Sequence, residues 1–207
     1  MEHFVKQPRQ LLAAALVLGA IACHGEQAFA QTYDAFKQFS IKDNPSETWT
    51  YVAAGQKLTT KITTCDGIKK LYCWTNGGTS FPNVAAGEAN KTGASVQYAD
   101  VTLPASYLDL DPQGTASVGF QWTAPAAATI HVSGNFLGIA NDEGSHNVAV
   151  LYNGTALVTY TISRFQQKET FRLHLSVAPG DTIAFLSYTG NGGGALSTGL
   201  QAKIVAE

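Results

Sequence analysis

The chain of 207 residues is poor in several things at once. It has three cysteines, one methionine, and only 14% charged residues. It lacks a C-x-x-C pair, so a thioredoxin-like or zinc-ribbon reading has no support. It has no G-x-S-x-G elbow and no phosphate-cradling glycine loop. Gly190 to Gly194 (GNGGG) follows a strand pattern but opens no helix. Helical periodicity is almost absent, and no segment after the N-terminus is long and apolar enough to cross a bilayer. Basic clusters are missing too: Lys69-Lys70 is the densest, and the formal net charge is −2. Nucleic acid and anionic lipid are therefore not expected partners, because phosphates demand clustered Lys and Arg.

The N-terminus reads as an address. Lys6 and Arg9 precede an apolar run from Leu11 to Ala22, and Ala28-Phe29-Ala30 offers a small-x-small cleavage pattern. Cleavage before Gln31 is expected, giving a signal peptide over 1–30 and one domain over 31–207. Acylation at Cys23, as a lipoprotein, is the alternative. Removing 30 of 207 residues leaves 177, which suits one domain with a sizeable core. Secretion, to the periplasm or the cell surface, also fits the remaining cysteines. An exported chain with only Cys65 and Cys73 is expected to oxidise them to a disulfide.

Threonine, valine, tyrosine and glycine are plentiful, which favours strands and turns. Strands are expected around Phe36 to Ile41, Glu47 to Ala53, Leu58 to Thr64 and Leu71 to Trp74. Asn76 to Gly93 reads as a long irregular loop. The second half alternates cleanly. Val118, Phe120 and Trp122 share one face, as do Ile130, Val132 and Phe136, and Phe171, Leu173, Leu175 and Val177. Asn153-Gly154 between two such runs is a strong hairpin signal, since a type I′ turn needs positive φ twice. The pattern predicts an all-β, antiparallel two-sheet β-sandwich of jelly-roll type with about eight to ten strands.

Several segments carry a resemblance. QWTAPAAATIHVSGNFLGI, NVAVLYNGTAL, FRLHLSVAPGDTIAFLSYTGNGG and STGLQAKI, with the early FSIKDNPSETWTYV, resemble a β-sandwich domain common in secreted bacterial proteins. That domain is similar to galactose-binding-like jelly rolls that serve as carbohydrate-binding modules. The resemblance runs from about Phe39 to Ile204. It implies an exported, noncatalytic binding domain. Many such proteins end in a Pro-Glu-Pro sorting tail; this chain ends at Glu207 without one, so sorting by that route is not expected. The family's histidine in an "LHP" segment is replaced here by Asp109-Leu110-Asp111-Pro112. No role resting on that histidine carries over.

Candidate site residues follow. Trp74 directly follows Cys73 and leads into Thr75-Asn76-Gly77-Gly78, so a disulfide-braced loop would present Trp74 and Asn76 to a sugar. Tyr188 and Asn191 flank the glycine loop as weaker candidates. Asp109, Asp111 and Asp142 are the carboxylates from which a structural calcium site could be built; solvated turn carboxylates are the plainer reading. His131 and His174 fall on outward phases and His146 on a strand start, with no close pair evident for zinc. Trp122, Trp49 and Tyr51 are expected in the core, and Asp181 is expected to cap the Pro179-Gly180 turn. The leading function is binding of carbohydrate at the cell exterior. The alternative is a structural or adhesive envelope protein acting through protein contacts, and a secreted hydrolase is a distant third.

Overall fold

Consecutive strands cross repeatedly between two antiparallel sheets, and this arrangement places every outward-facing residue discussed below. The computed structural model describes residues 30–77, 86–112, 117–141, 144–188 and 197–207. Residues 1–29, where a signal peptide is expected, and the candidate residues Asp142 and Asn191 lie outside the described residues. The first half holds β1 (Gln31–Asp34), β2 (Trp49–Ala53), β3 (Gln56–Lys57), β4 (Thr60–Ile62), β5 (Leu71–Thr75), β6 (Ala86–Asn90), β7 (Val96–Tyr98), β8 (Val101–Leu103) and β9 (Leu108–Asp111). The second half holds β10 (Ser117–Thr123), β11 (Ala128–Gly138), β12 (His146–Tyr152), β13 (Thr155–Ile162), β14 (Lys168–Val177), β15 (Thr182–Tyr188) and β16 (Thr198–Ala206).

The larger sheet runs β14-β11-β16-β9-β6-β5-β4, with β1 added against β16; the smaller runs β13-β12-β15-β10-β2-β3. β7 and β8 form a separate ribbon. This is the expected β-sandwich, with more and shorter strands than expected in its first half. Among the described residues no helix is long and apolar enough to cross a membrane.

The core follows from the alternation. Trp49, Tyr51, Phe120, Trp122, Phe136, Phe171 and Phe185 are fully buried between the sheets. Their rings interlock: Phe39 stacks on Tyr51 at 4.8 Å, and Tyr51 meets Phe120 edge-on at 4.8 Å. Burying each such side chain stabilises the fold by about 1.5–3 kcal/mol. Gly134 has no room for a side chain, because a Cβ there would strike the Gln201 carbonyl and the Phe171 ring.

The β12–β13 hairpin turns at Asn153 (φ 47°) and Gly154 (φ 80°), as its sequence predicts. Asp181 accepts the Ala178 amide at 2.7 Å and so caps its turn. Two expectations are corrected. The first strand is Gln31–Asp34 rather than Phe36 to Ile41, and it is pinned by register to β16. The supposed loop up to Gly93 contains β6, whose five residues AGEAN are all buried. A strand flanked by β5 and β9 and covered on both faces need not alternate.

Candidate functional site

Trp74 does not stand where its sequence context places it. It lies inside β5, paired with Lys61 of β4 and Gly87 of β6, rather than on a loop beyond the cysteine. The ladder turns its ring inward, so it is only 6% exposed. Its indole N–H donates to the Ser40 carbonyl at 2.7 Å, and its ring centroid is 6.4 Å from that of Tyr51. Trp74 closes the back of a shallow depression of about 390 Å³ bordered by Lys42, Asn44, Lys57 and Thr59. An exposed stacking platform is thus ruled out for this residue. Asn76 is exposed just past the strand end, and Tyr188 is half-buried at the end of β15 opposite Ser117. The Cys65–Cys73 disulfide is present, with the Cα atoms 6.1 Å apart. It ties a single 3-10 turn (Cys65–Gly67) to β5 within a second small core that includes Leu71, Val101, Leu103 and Ile139.

Glu88, Asp109 and Asp111 are buried rather than solvated. Glu88 of β6 stands directly opposite Asp109 of β9, and Ala86 stands opposite Asp111. Glu88 is 1% and Asp109 0% exposed. The Tyr98 hydroxyl lies 2.9 Å from Glu88 Oε2 and 2.8 Å from Asp109 Oδ2. A hydroxyl carries one hydrogen, so it can donate to only one of these oxygens. The other short contact therefore has a carboxylic acid O–H donating to the tyrosine oxygen. Burial, with the nearby charges of Asp109 and Asp111, holds the Glu88 carboxyl well above the ordinary range. Burial also raises Asp109, to about 7, against the opposing hydrogen bond from Tyr98. Among the described residues, no three His, Cys, Asp or Glu side chains converge to hold a metal. Asp109 and Asp111 share a buried strand, and the Tyr98 hydroxyl bridges Asp109 to Glu88.

An open groove of about 370 Å³ lies on the outer face of the larger sheet. Its floor is built by register: Asn135 faces Gln201 and Ser133 faces Lys203 across the β11–β16 ladder, while Asp34 of β1 faces Lys203. Tyr107 donates its hydroxyl to Asn135 Oδ1 at 3.0 Å, and Asn135 Nδ2 donates to Gln201 Oε1 at 3.2 Å. Gln201 Nε2 reaches the Ser106 carbonyl at 3.4 Å. Phe36 forms one wall. Lys91 fixes that ring by donating to the Phe36 carbonyl and placing Nζ 3.8 Å from the ring centroid. The groove is not among the sites that the sequence suggests. Polar residues on outward phases were the available signal, but which of them face each other depends on register.

The histidines divide. His146 is buried rather than on the surface, with Nε2 2.5 Å from Thr198 Oγ1, itself 3.1 Å from Ser187 Oγ. Burial lowers its pKa to about 4. His131 and His174 are outward as expected, yet they are partners in the β11–β14 ladder. Their rings stack at 4.3 Å with an interplanar angle of 11°.

No family model and no curated protein matches this chain. Among solved structures, the CBM36-1 domain of a multidomain xylanase from the hindgut metagenome of Trinervitermes trinervoides is 11% identical, with a TM-score of 0.35, over 56% of this chain and 92% of that one. CBM35 from Paenibacillus barcinonensis is 10% identical, with a TM-score of 0.29, over 86% and 98%. Pika GITRL is 9% identical, with a TM-score of 0.27, over 61% and 89%. Likeness at this level assigns no ligand and no residue role to this chain.

Proposed function

We propose that this protein is an exported, noncatalytic carbohydrate-binding domain whose site is the groove over β11 and β16. The amide ladder Tyr107–Asn135–Gln201 carries the reading. Each amide is held by a neighbour yet keeps unused capacity: Asn135 has a second N–H, and Gln201 has a second lone pair. Sugars present adjacent hydroxyls that both donate and accept, and side chains already fixed lose little rotamer freedom on binding. The volume of about 370 Å³ falls within the range of small-ligand pockets, roughly 300–1,000 Å³. Lys203 and Asp34 add charge of both signs, and Phe36 adds an apolar wall. Export is supported by the N-terminal charge, apolar run and Ala28-Phe29-Ala30 pattern, together with the disulfide.

A glycan array followed by calorimetry tests this. Binding by the secreted protein that is lost in Gln201→Ala and Lys203→Ala, with melting unchanged, is expected. Binding that survives both substitutions would move the site elsewhere, and silence across the array would remove the carbohydrate reading. One observation favours the protein-contact alternative: β13 is an outer strand of the smaller sheet and carries Leu157, 36% exposed.

A further inference from the structure

The histidine pair on the larger sheet carries an inference independent of the groove. His131 and His174 are directly opposed on paired strands, both exposed and both on the outer face. Opposed residues on antiparallel strands hold their Cβ atoms about 4.5–5.5 Å apart, so two imidazoles there are brought together by the backbone itself. The rings already lie 4.3 Å apart and nearly parallel. Two imidazole nitrogens bound to one dication at about 2.0–2.1 Å stand roughly 3–3.5 Å apart. That separation is between ring centroids, and the lone pairs of near-parallel rings do not converge, so binding turns both exposed rings until a nitrogen of each faces the same ion. Glu207 lies beside them, its Oε1 3.5 Å from His131 Nε2, and both side chains are well exposed at 60% and 48%.

We propose that His131 and His174 form a two-imidazole chelate for a borderline transition-metal dication, with the Glu207 carboxylate as the adjacent countercharge and water completing the coordination. Imidazole selects copper, nickel and zinc, whereas calcium and magnesium prefer oxygen cages. Affinity follows the order in which copper exceeds nickel and zinc. Arg172, two residues along β14 on the same face, opposes cation binding, and Lys203 of β16 contributes in the same sense from farther along the face. The Glu207 carboxylate works against both. Protons compete with the metal, since only neutral imidazole ligates.

The test titrates EDTA-stripped, untagged secreted protein with Cu2+, Ni2+ or Zn2+ alone by calorimetry. One equivalent per chain is expected, tightest for Cu2+ and lost at pH 5. His131→Asn and His174→Asn should each weaken binding by at least the roughly 10–100-fold that loss of an outer-shell partner costs. Paramagnetic Cu2+ should broaden the ring resonances of these two histidines before those of His146. Both substitutions fall at exposed positions, and unchanged melting will show that the fold is kept. No binding, or wild-type affinity in either variant, overturns the site.

Discussion

Glu88 and Asp109 face each other across the β6–β9 ladder, and one tyrosine hydroxyl touches both carboxyl groups. Both groups keep protons in the folded state that the unfolded chain releases near pH 4. The native state therefore binds more protons than the unfolded one above that pH, and stability falls as pH rises. The stability contributed by Asp109 is full below about 3.8 and is lost as pH rises through about 7. Melting temperature should decline between pH 5 and pH 8. Glu88→Gln, which keeps the shape without the ionisation, should flatten that decline. An unchanged slope in Glu88→Gln would place the pH dependence elsewhere.

His146 acts in the opposite direction. Its pKa is lowered to about 4, from 6.5 in an unperturbed setting, so the unfolded chain takes up a proton first as the solution is acidified. Its contribution is present above about 6.5 and is lost as pH falls toward 4. Together with the carboxyl pair this predicts maximal stability at mildly acidic pH. Denaturant unfolding from pH 4 to 8 would show a single maximum, and a monotonic profile would contradict it.

Removing the tyrosine hydroxyl at the head of the groove offers a milder probe than cutting the amides. Tyr107→Phe leaves the ring and deletes the 3.0 Å bond to Asn135. A stability loss of about 0.5–1.5 kcal/mol is expected, with weaker glycan binding because the amide is no longer held. Trp74→Phe should behave differently. It deletes the donor to the Ser40 carbonyl, costing about 1–3 kcal/mol, and leaves glycan affinity unchanged. Calorimetry beside thermal melts separates the two patterns.

Replacing both Cys65 and Cys73 by alanine removes a cross-link between residues eight apart. On the chain-entropy account the loss is about 2–3 kcal/mol. Chemical denaturation of the unreduced protein checks this, with thiol titration of the unreduced wild type as its companion.

Much of the second half was legible because period-2 alternation directly reports a sheet with one wet face. Val118, Phe120 and Trp122 all point inward as their spacing predicts, and Asn153-Gly154 turns where it should. β6 was not legible. AGEAN looks like a loop because its small and polar residues offer no apolar face, yet Glu88 and Asn90 are buried with partners supplied by the β7–β8 ribbon. Trp74 misled for a related reason: the strand over Leu71 to Trp74 is legible, but that its neighbours bury the Trp74 face is not. The groove and the histidine pair depend on which strands are neighbours and in what register. Nothing local in Asn135, Gln201, His131 or His174 encodes that.

The four outermost strands of the two sheets are unequal in a way that bears on assembly. β3, β4 and β14 carry Lys57, Lys61 and Lys168 with Arg172, the charges that discourage one sheet from extending into another. β13, TALVTYTI, carries no charged residue over eight positions. Growth at one border alone cannot propagate. Two copies meeting along β13 would form a self-complementary antiparallel seam. Lysine and arginine thus leave β13 as the border among these four where an edge-on contact would meet no charge.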